Sequence, residues 1–337
     1  MYKRNTRLLG VTFTIFSNNP GFVRAEEFLS AEYQKENPHI WSLLTALPAP
    51  ESVGDEEPAD ATLYILDVAD TPIKICREGT TLIISGDISR LETETADKRW
   101  NIFGNVGLFF AFSLSVLESA AAIHSLHASA LYRAPENRLL IVAGSSGSGK
   151  TVFQLEALLR RGYRVFTTEM THFRVDSGGC TFFKGSVYDN IRVGNLLYDF
   201  PEAVGRFRVK LPETDDPWET YVPVDFGPWS TAELTLVNPQ TIIVFPRIES
   251  GRKDFHLISE PDAAGFLRSC FENASEKIDK SQVMYEGAIP FASFDQQDLA
   301  AKRLQDIKKL LAQKSVTSRM RLIAGPENCW AWESAAK

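Results

Sequence analysis

The residues with the clearest chemical potential form one short stretch that is rich in glycine and serine. It reads Gly144-Ser-Ser-Gly-Ser-Gly-Lys-Thr151 and fits the phosphate-loop pattern. Glycines permit a tight backbone turn, so that successive N–H groups can surround a phosphate. We therefore predict that Lys150 contacts the terminal phosphates of a nucleotide and that Thr151 holds Mg²⁺; the alternative is a chance turn. The predicted nucleotide-binding residues are Gly144, Ser145, Ser146, Gly147, Ser148, Gly149, Lys150 and Thr151.

Such a loop needs a strand before it and a helix after it. The apolar run Leu139–Ala143 predicts a buried strand. Beyond the loop, apolar residues recur at helical spacing up to Leu159, and Arg160–Gly162 is typical of a helix end. A helix that starts at the loop adds positive potential where the phosphates would lie.

The remaining pattern predicts an α/β (α+β) chain. Residues 1–96 are predicted to form a small, mainly antiparallel β module, and residues 97–326 a nucleotide-binding domain. Residues 327–337 are predicted to form a tail. The expected strands are 8–16, 61–68, 73–77, 81–85, 241–245 and 318–323, and the expected helices are 97–125, 259–278 and 296–313.

Charge and composition narrow the possible partners and location. The 337-residue chain has a formal net charge of −7, which gives no electrostatic case for nucleic acid as a partner. Its four cysteines are scattered, so a reducing cytoplasm is expected. The longest apolar stretch, 106–123, contains serines and a glutamate. This stretch predicts a buried helix and not a membrane span.

Three features together resemble a known family. His127-Ala-Ser-Ala130 precedes the loop, and Arg161-Gly162 and a short polar cluster follow it. This run resembles the HPr kinase/phosphorylase superfamily, specifically its shorter kinase-like relatives. The resemblance implies the nucleotide fold shared with phosphoenolpyruvate carboxykinase, with ATP and Mg²⁺ at the loop. It also implies a possible homo-oligomer, since HPr kinases form hexamers.

The resemblance further assigns residues to roles. His127 matches the family histidine near the transferred phosphate, although a hydrogen-bonded core histidine fits the sequence equally well. Where the family has two aspartates, this chain has Thr168 and Glu169. Glu169 is expected to bind Mg²⁺ or to accept a proton, whereas Thr168 cannot act as a base near neutral pH. His172 is an alternative base, or else an exposed strand residue.

Phosphoryl transfer also calls for an arginine at the γ-phosphate. Arg247 and Arg252 follow the strand 241–245 and are the main candidates, with Arg192 as a third. The sequence thus predicts an ATP- and Mg²⁺-dependent kinase that acts on a hydroxyl of a small molecule, peptide or protein. The alternative is a nucleotide-binding regulatory or scaffold protein, or an NTPase, with weak or no phosphotransfer.

Overall fold

The computed structural model divides the chain into two compact units. The first unit comprises Met1–His124 and Ser275–Lys302, and the second comprises Ser125–Ala274 and Arg303–Lys337. This division differs from the predicted boundary at residue 96. The structure describes residues 1–24, 47–48, 50–54, 56–91, 98–105, 107–259, 261–279 and 293–335. Within these residues the fold is mixed α/β.

The first unit contains a six-stranded sheet. Its strands are β1 (Tyr2–Leu8), β2 (Val11–Ser17), β3 (Glu51–Ser52), β4 (Ala61–Asp67), β5 (Lys74–Glu78) and β6 (Thr81–Gly86), in the order β3-β1-β2-β4-β6-β5. The single strand predicted at 8–16 is instead a hairpin, because Leu9 and Gly10 both adopt positive φ between β1 and β2. The sheet is mixed, since β4 pairs in parallel with both β2 and β6.

The predicted long helix at 97–125 is two helices of the first unit. These are α1 (Lys98–Phe103) and α2 (Leu108–Ala121). Most of α2 is buried, and the rings of Phe109 and Phe112 contact Phe13 of β2 at centroid distances of 5.4 and 6.3 Å. The helix therefore covers the N-terminal sheet, and its assignment to the nucleotide domain was wrong. Among the described residues, no helix combines the length and apolar character needed to cross a membrane.

The second unit is organised by a nine-stranded sheet. Its strands are β7 (His124–Arg133), β8 (Arg138–Ala143), β9 (Arg164–Thr167), β10 (Met170–Asp176), β11 (Gly179–Phe183), β14 (Thr235–Val237), β15 (Gln240–Ile248), β16 (His256–Ser259) and β17 (Val316–Ala324). The order is β14-β11-β10-β7-β8-β15-β17-β16, and β9 pairs with β7. A separate hairpin consists of β12 (Tyr188–Arg192) and β13 (Tyr221–Asp225).

Helices cover both faces of this sheet. They are α3 (Lys150–Arg160), α4 (Pro201–Phe207), α5 (Ala263–Ser275), α6 (Gln297–Leu311) and α7 (Trp332–Ala335), of which α6 begins in the first unit. Alternate residues of β8 enter different cores: Leu140 and Val142 pack with α3, whereas Ile141 packs with α5 and α6. Sheet and helices therefore hold the start of α3 in a fixed place.

The C-terminal residues are part of this core. Trp330 and Trp332 are buried in the cluster that includes α3, and the Trp330 ring lies 5.5 Å from that of Phe153. The prediction of a tail from residue 327 was therefore wrong. Two large indoles near a chain terminus contribute apolar area that a helix face can bury.

Candidate functional site

Strand direction places the predicted site residues at one edge of the sheet. β8 and β15 are parallel, so their carboxyl ends meet at the same edge. The antiparallel β7 places its beginning, with His127, at that edge too. The amide of Ile248 donates to the carbonyl of Ser148 over 3.1 Å, which ties the end of β15 to the glycine-rich loop.

The loop connects β8 directly to α3, as its composition predicts. Gly149 has φ +101° and immediately precedes α3. A Cβ atom there would lie 2.2 Å from Cγ1 of Ile248. A side chain at this position would therefore meet both an unfavourable backbone conformation and a packed neighbour. The loop tip, Ser145–Gly147, is exposed, whereas the hydroxyl of Ser148 is buried without a hydrogen-bond partner.

Lys150 folds back over this loop. Its Nζ atom donates to the carbonyls of Gly144 and Ser145 over 2.8 and 3.2 Å, and lies 3.2 Å from Nε2 of His127. The ammonium group is thereby held against the loop that leads into α3, where the first N–H groups of the helix and its dipole favour an anion. This geometry and the unpartnered Ser148 hydroxyl fit a phosphate group.

His127 connects the lysine to a carboxylate. The same Nε2 atom lies 2.8 Å from Oε1 of Glu169, and the ring is buried. One ring nitrogen cannot donate to the carboxylate and accept from the ammonium at once. His127 therefore has two partners that compete for the same ring nitrogen. Its carbonyl is fixed by Asn273, whose Nδ2 donates to it over 3.0 Å.

The structure adds a second carboxylate that the sequence pattern did not identify. Asp189 lies on β12, and burial raises the pKa of its carboxyl to about 8, with the charge of Glu169 adding to the increase and that of Lys150 opposing it. Asp189 therefore shares the electrostatic environment of both residues. No local signal marks it, because α3 and the strands β9, β10 and β11 separate it from the loop along the chain, and it belongs to a separate hairpin.

Thr168 has a structural role in the segment that leads to Asp189. It is buried, and its hydroxyl donates to the carbonyls of Tyr188 and Ser186 over 2.6 and 3.2 Å. Its amide also donates to the Ser186 carbonyl, over 2.9 Å. Thr168 thus fastens the chain just before Asp189 to the turn that carries Glu169.

Two further histidines, His172 and His124, are also buried. His172 on β10 makes a 2.7 Å hydrogen bond through Nδ1 with the hydroxyl of Ser125, and burial lowers the pKa of its ring to about 3. The prediction of an exposed strand residue was therefore wrong. His124 instead contacts Glu118 over 3.0 Å within the first unit.

Arg247 and Arg252 follow the expected strand, and all three candidate arginines contact carboxylates, which for Arg192 is that of Glu219. Arg247 is largely exposed, and its Nε lies 2.7 Å from Oε1 of Glu249. Arg252 contacts Glu249 over 2.6 Å and Asp254 over 2.9 Å. Arg192 donates to the carbonyl of Trp218 over 2.7 Å, at the far end of β12. Each guanidinium would have to leave or share its partner to reach a phosphate.

Candidate Mg²⁺ ligands are available without a preformed cage. Within the described ranges, no group of three or more histidine, cysteine, aspartate or glutamate residues could hold a metal ion by itself. Mg²⁺ commonly takes one or two carboxylates and completes its shell with water and phosphate oxygens. The hydroxyl of Thr151 and the carboxylates of Glu169 and Asp189 fit that donor set.

Comparison with models of protein families and with curated proteins found no match for this chain. The resemblance to the HPr kinase/phosphorylase superfamily therefore remains a hypothesis based on the motif run itself.

Proposed function

We propose that this chain is an ATP- and Mg²⁺-dependent kinase of the HPr-kinase-like type that acts on a hydroxyl group. The observation that carries the proposal is the cluster at the start of α3. There a glycine-rich loop, the ammonium of Lys150 and the carboxylate of Glu169 meet at one edge of the sheet, and the carboxyl of Asp189 interacts electrostatically with Glu169 and Lys150. The free thiols of its four cysteines support the expected location in the cytoplasm.

Each residue of the cluster has a role in this proposal. Loop N–H groups and Lys150 hold the phosphates and offset the charge that develops on them. Thr151 and one carboxylate provide ligands for Mg²⁺, which screens the phosphate charge when bound. The acceptor oxygen forms a bond to the γ-phosphorus, the bond to the bridging oxygen breaks, and the hydroxyl proton passes to Glu169 or Asp189. ADP is the leaving group.

Nucleotide binding with weak or no transfer is the alternative. The arginines favour it, because both Arg247 and Arg252 pair with Glu249 and leave no unpaired guanidinium from these two positions. A regulatory protein needs phosphate binding at the loop but no arginine at the γ-phosphate. Both functions therefore predict the same affinities of wild type and variants for ATP. They differ in the turnover of ATP that they predict.

Incubation with γ-labelled ATP, Mg²⁺ and a metabolite extract separates these functions. We expect wild type to transfer label to an acceptor and Lys150→Ala to lose about 100-fold or more of that turnover. The matched control is Lys210→Ala, because Lys210 is an exposed lysine outside the cluster. Binding of ATP without any transfer or hydrolysis would replace the kinase proposal with the regulatory one.

A further inference from the structure

Asp189 comes neither from the main sheet nor from α3. It belongs to the β12–β13 hairpin, whose two strands pair with each other and, among the described residues, with no other strand. The sheet that fixes the loop and His127 therefore does not fix Asp189. Other contacts must determine where its carboxylate lies relative to Lys150 and Glu169.

The first contact comes from α3. Nε2 of Gln154 donates to Oδ2 of Asp189 over 3.5 Å. Gln154 lies four residues after Lys150, so both side chains project from the same face of α3. The helix that carries the lysine therefore also reaches the carboxylate.

Gln154 is an unusual residue for its surroundings. It is fully buried, and its Oε1 has no hydrogen-bond partner. A buried polar atom without a partner destabilises the fold, whereas leucine at the same position would bury no polar atom. An amide kept at a cost to stability indicates a role at its one partner, Asp189.

The second contact fixes the backbone. Thr168 holds the carbonyls of Ser186 and Tyr188 through its hydroxyl and its amide. Thr168 is itself held, because the hydroxyl of Ser129 on β7 donates to its carbonyl. A continuous set of hydrogen bonds therefore connects the main sheet to the residue that precedes Asp189.

We propose that Gln154 and Thr168 are positioning residues that hold Asp189 beside Glu169 and Lys150. Thr168 fixes the backbone that leads into Asp189, and Gln154 fixes its carboxylate. Because Glu169 contacts His127, this placement leaves Asp189 as the carboxylate that a substrate hydroxyl or Mg²⁺ can use. The inference rests on the proposed function and adds the residues that place its second carboxylate.

Turnover of ATP by variants provides the first test. We expect Gln154→Leu and Thr168→Val to lower kcat about 10- to 100-fold, as loss of an outer hydrogen bond does. KM for ATP should stay within about twofold, because the loop and Lys150 are intact. Thr168→Ser keeps the hydroxyl and should retain activity. In an Asp189→Asn background, neither Gln154→Leu nor Thr168→Val should lower kcat further.

Thr171→Val is the matched control for Thr168→Val. Thr171 is also buried, and its hydroxyl donates to the carbonyl of Ala128 over 2.8 Å. Its loss removes the same kind of bond without touching the segment that leads to Asp189. We expect Thr171→Val to keep wild-type kcat even where it lowers stability.

Unfolding in urea gives a second readout that needs no activity. A double-mutant cycle of Gln154→Leu with Asp189→Asn should show coupling of about fivefold in the ratio of folded to unfolded protein. Gln154→Leu removes the unpaired Oε1 and also leaves Oδ2 of Asp189 without its donor, so only the cycle isolates the contact between the two residues. Thr171→Val and Asp189→Asn should be additive, since they share no partner.

The outcomes separate the inference from the proposed function. Wild-type kcat in both Gln154→Leu and Thr168→Val would overturn the inference and leave the kinase proposal standing. A wild type without ATP turnover would overturn the kinase proposal. In that case the double-mutant cycle in urea is the remaining test of how Asp189 is positioned. Coupling between Gln154 and Asp189 supports the inference, and additivity overturns it.

Discussion

The two sides of the candidate site are built in different ways. The phosphate side, by which we mean the side that we propose binds phosphate, is one continuous stretch, Gly144–Thr151, between β8 and α3. The carboxylate side brings Glu169 and Asp189 together from a turn and a separate hairpin. Local sequence forms the first side, and long-range hydrogen bonds form the second. A substitution on the first side should therefore act through backbone and packing, and one on the second through charge and position.

The largest effect on stability is expected at Gly149. Gly149→Ala combines a positive φ with a Cβ that meets Ile248, and should lower the free energy of unfolding by about 3 kcal/mol or more. Gly147→Ala is the matched control, because its φ is +79° and nothing lies within 4 Å of its Cβ. It should cost only about 1–2 kcal/mol. Urea unfolding measures both, and equal losses would show that Ile248 does not constrain the loop.

Asp189→Asn should raise the free energy of unfolding, whereas Gly149→Ala should lower it. A carboxyl whose pKa is raised on folding stabilises the fold most below its unfolded pKa, and that contribution is lost as pH rises towards about 8. Without nucleotide or metal, the variant should therefore gain stability over wild type between pH 5 and pH 8, by more than about 1.4 kcal/mol. Urea unfolding at the two pH values measures this.

The exposed Asp215→Asn is the control for this pH effect, since no buried charge is removed there. Its free energy of unfolding should differ from that of wild type by less than about 0.5 kcal/mol, as for other surface substitutions. A gain from Asp189→Asn that is independent of pH would mean that the carboxyl titrates as it does in the unfolded chain. Burial of the Asp189 carboxyl would then not destabilise the fold electrostatically.

The smallest effect on stability is expected at Arg247. The side chain is 75% exposed, and its contact with Glu249 is a surface ion pair. Arg247→Ala should change the free energy of unfolding by less than about 0.5 kcal/mol. A larger loss of unfolding free energy in urea would show that Arg247 helps to hold the end of β15 against the loop. Arg247 would then contribute to the structure of the site.

The local parts of the fold could be predicted from the sequence. The apolar run at 139–143 and the helical spacing after Lys150 identify β8 and α3, and the run at 241–245 lies inside β15. The positions of the later helices and of the last strand were also indicated to within a few residues. These elements can be predicted because each has a periodic apolar pattern within its own sequence.

Two of the wrong predictions have a different cause, which lies in long-range packing. The burial of Trp330 and Trp332, and the packing of α2 on the first sheet, depend on which apolar faces meet. Periodicity shows that a face is apolar but not which face covers it. The hairpin at Leu9-Gly10 was missed for a local reason, since positive φ at leucine has no sequence signal of its own.

The sequence by itself determined the phosphate side of this protein. Its glycines, Lys150 and Thr151 are neighbours along the chain, so composition and spacing suffice to specify them. Only the tertiary structure placed His127 between Lys150 and Glu169 and brought Asp189 to the same charges. The physical reason is that a carboxylate acts through distance and burial, and both are set by contacts between residues that the chain keeps far apart.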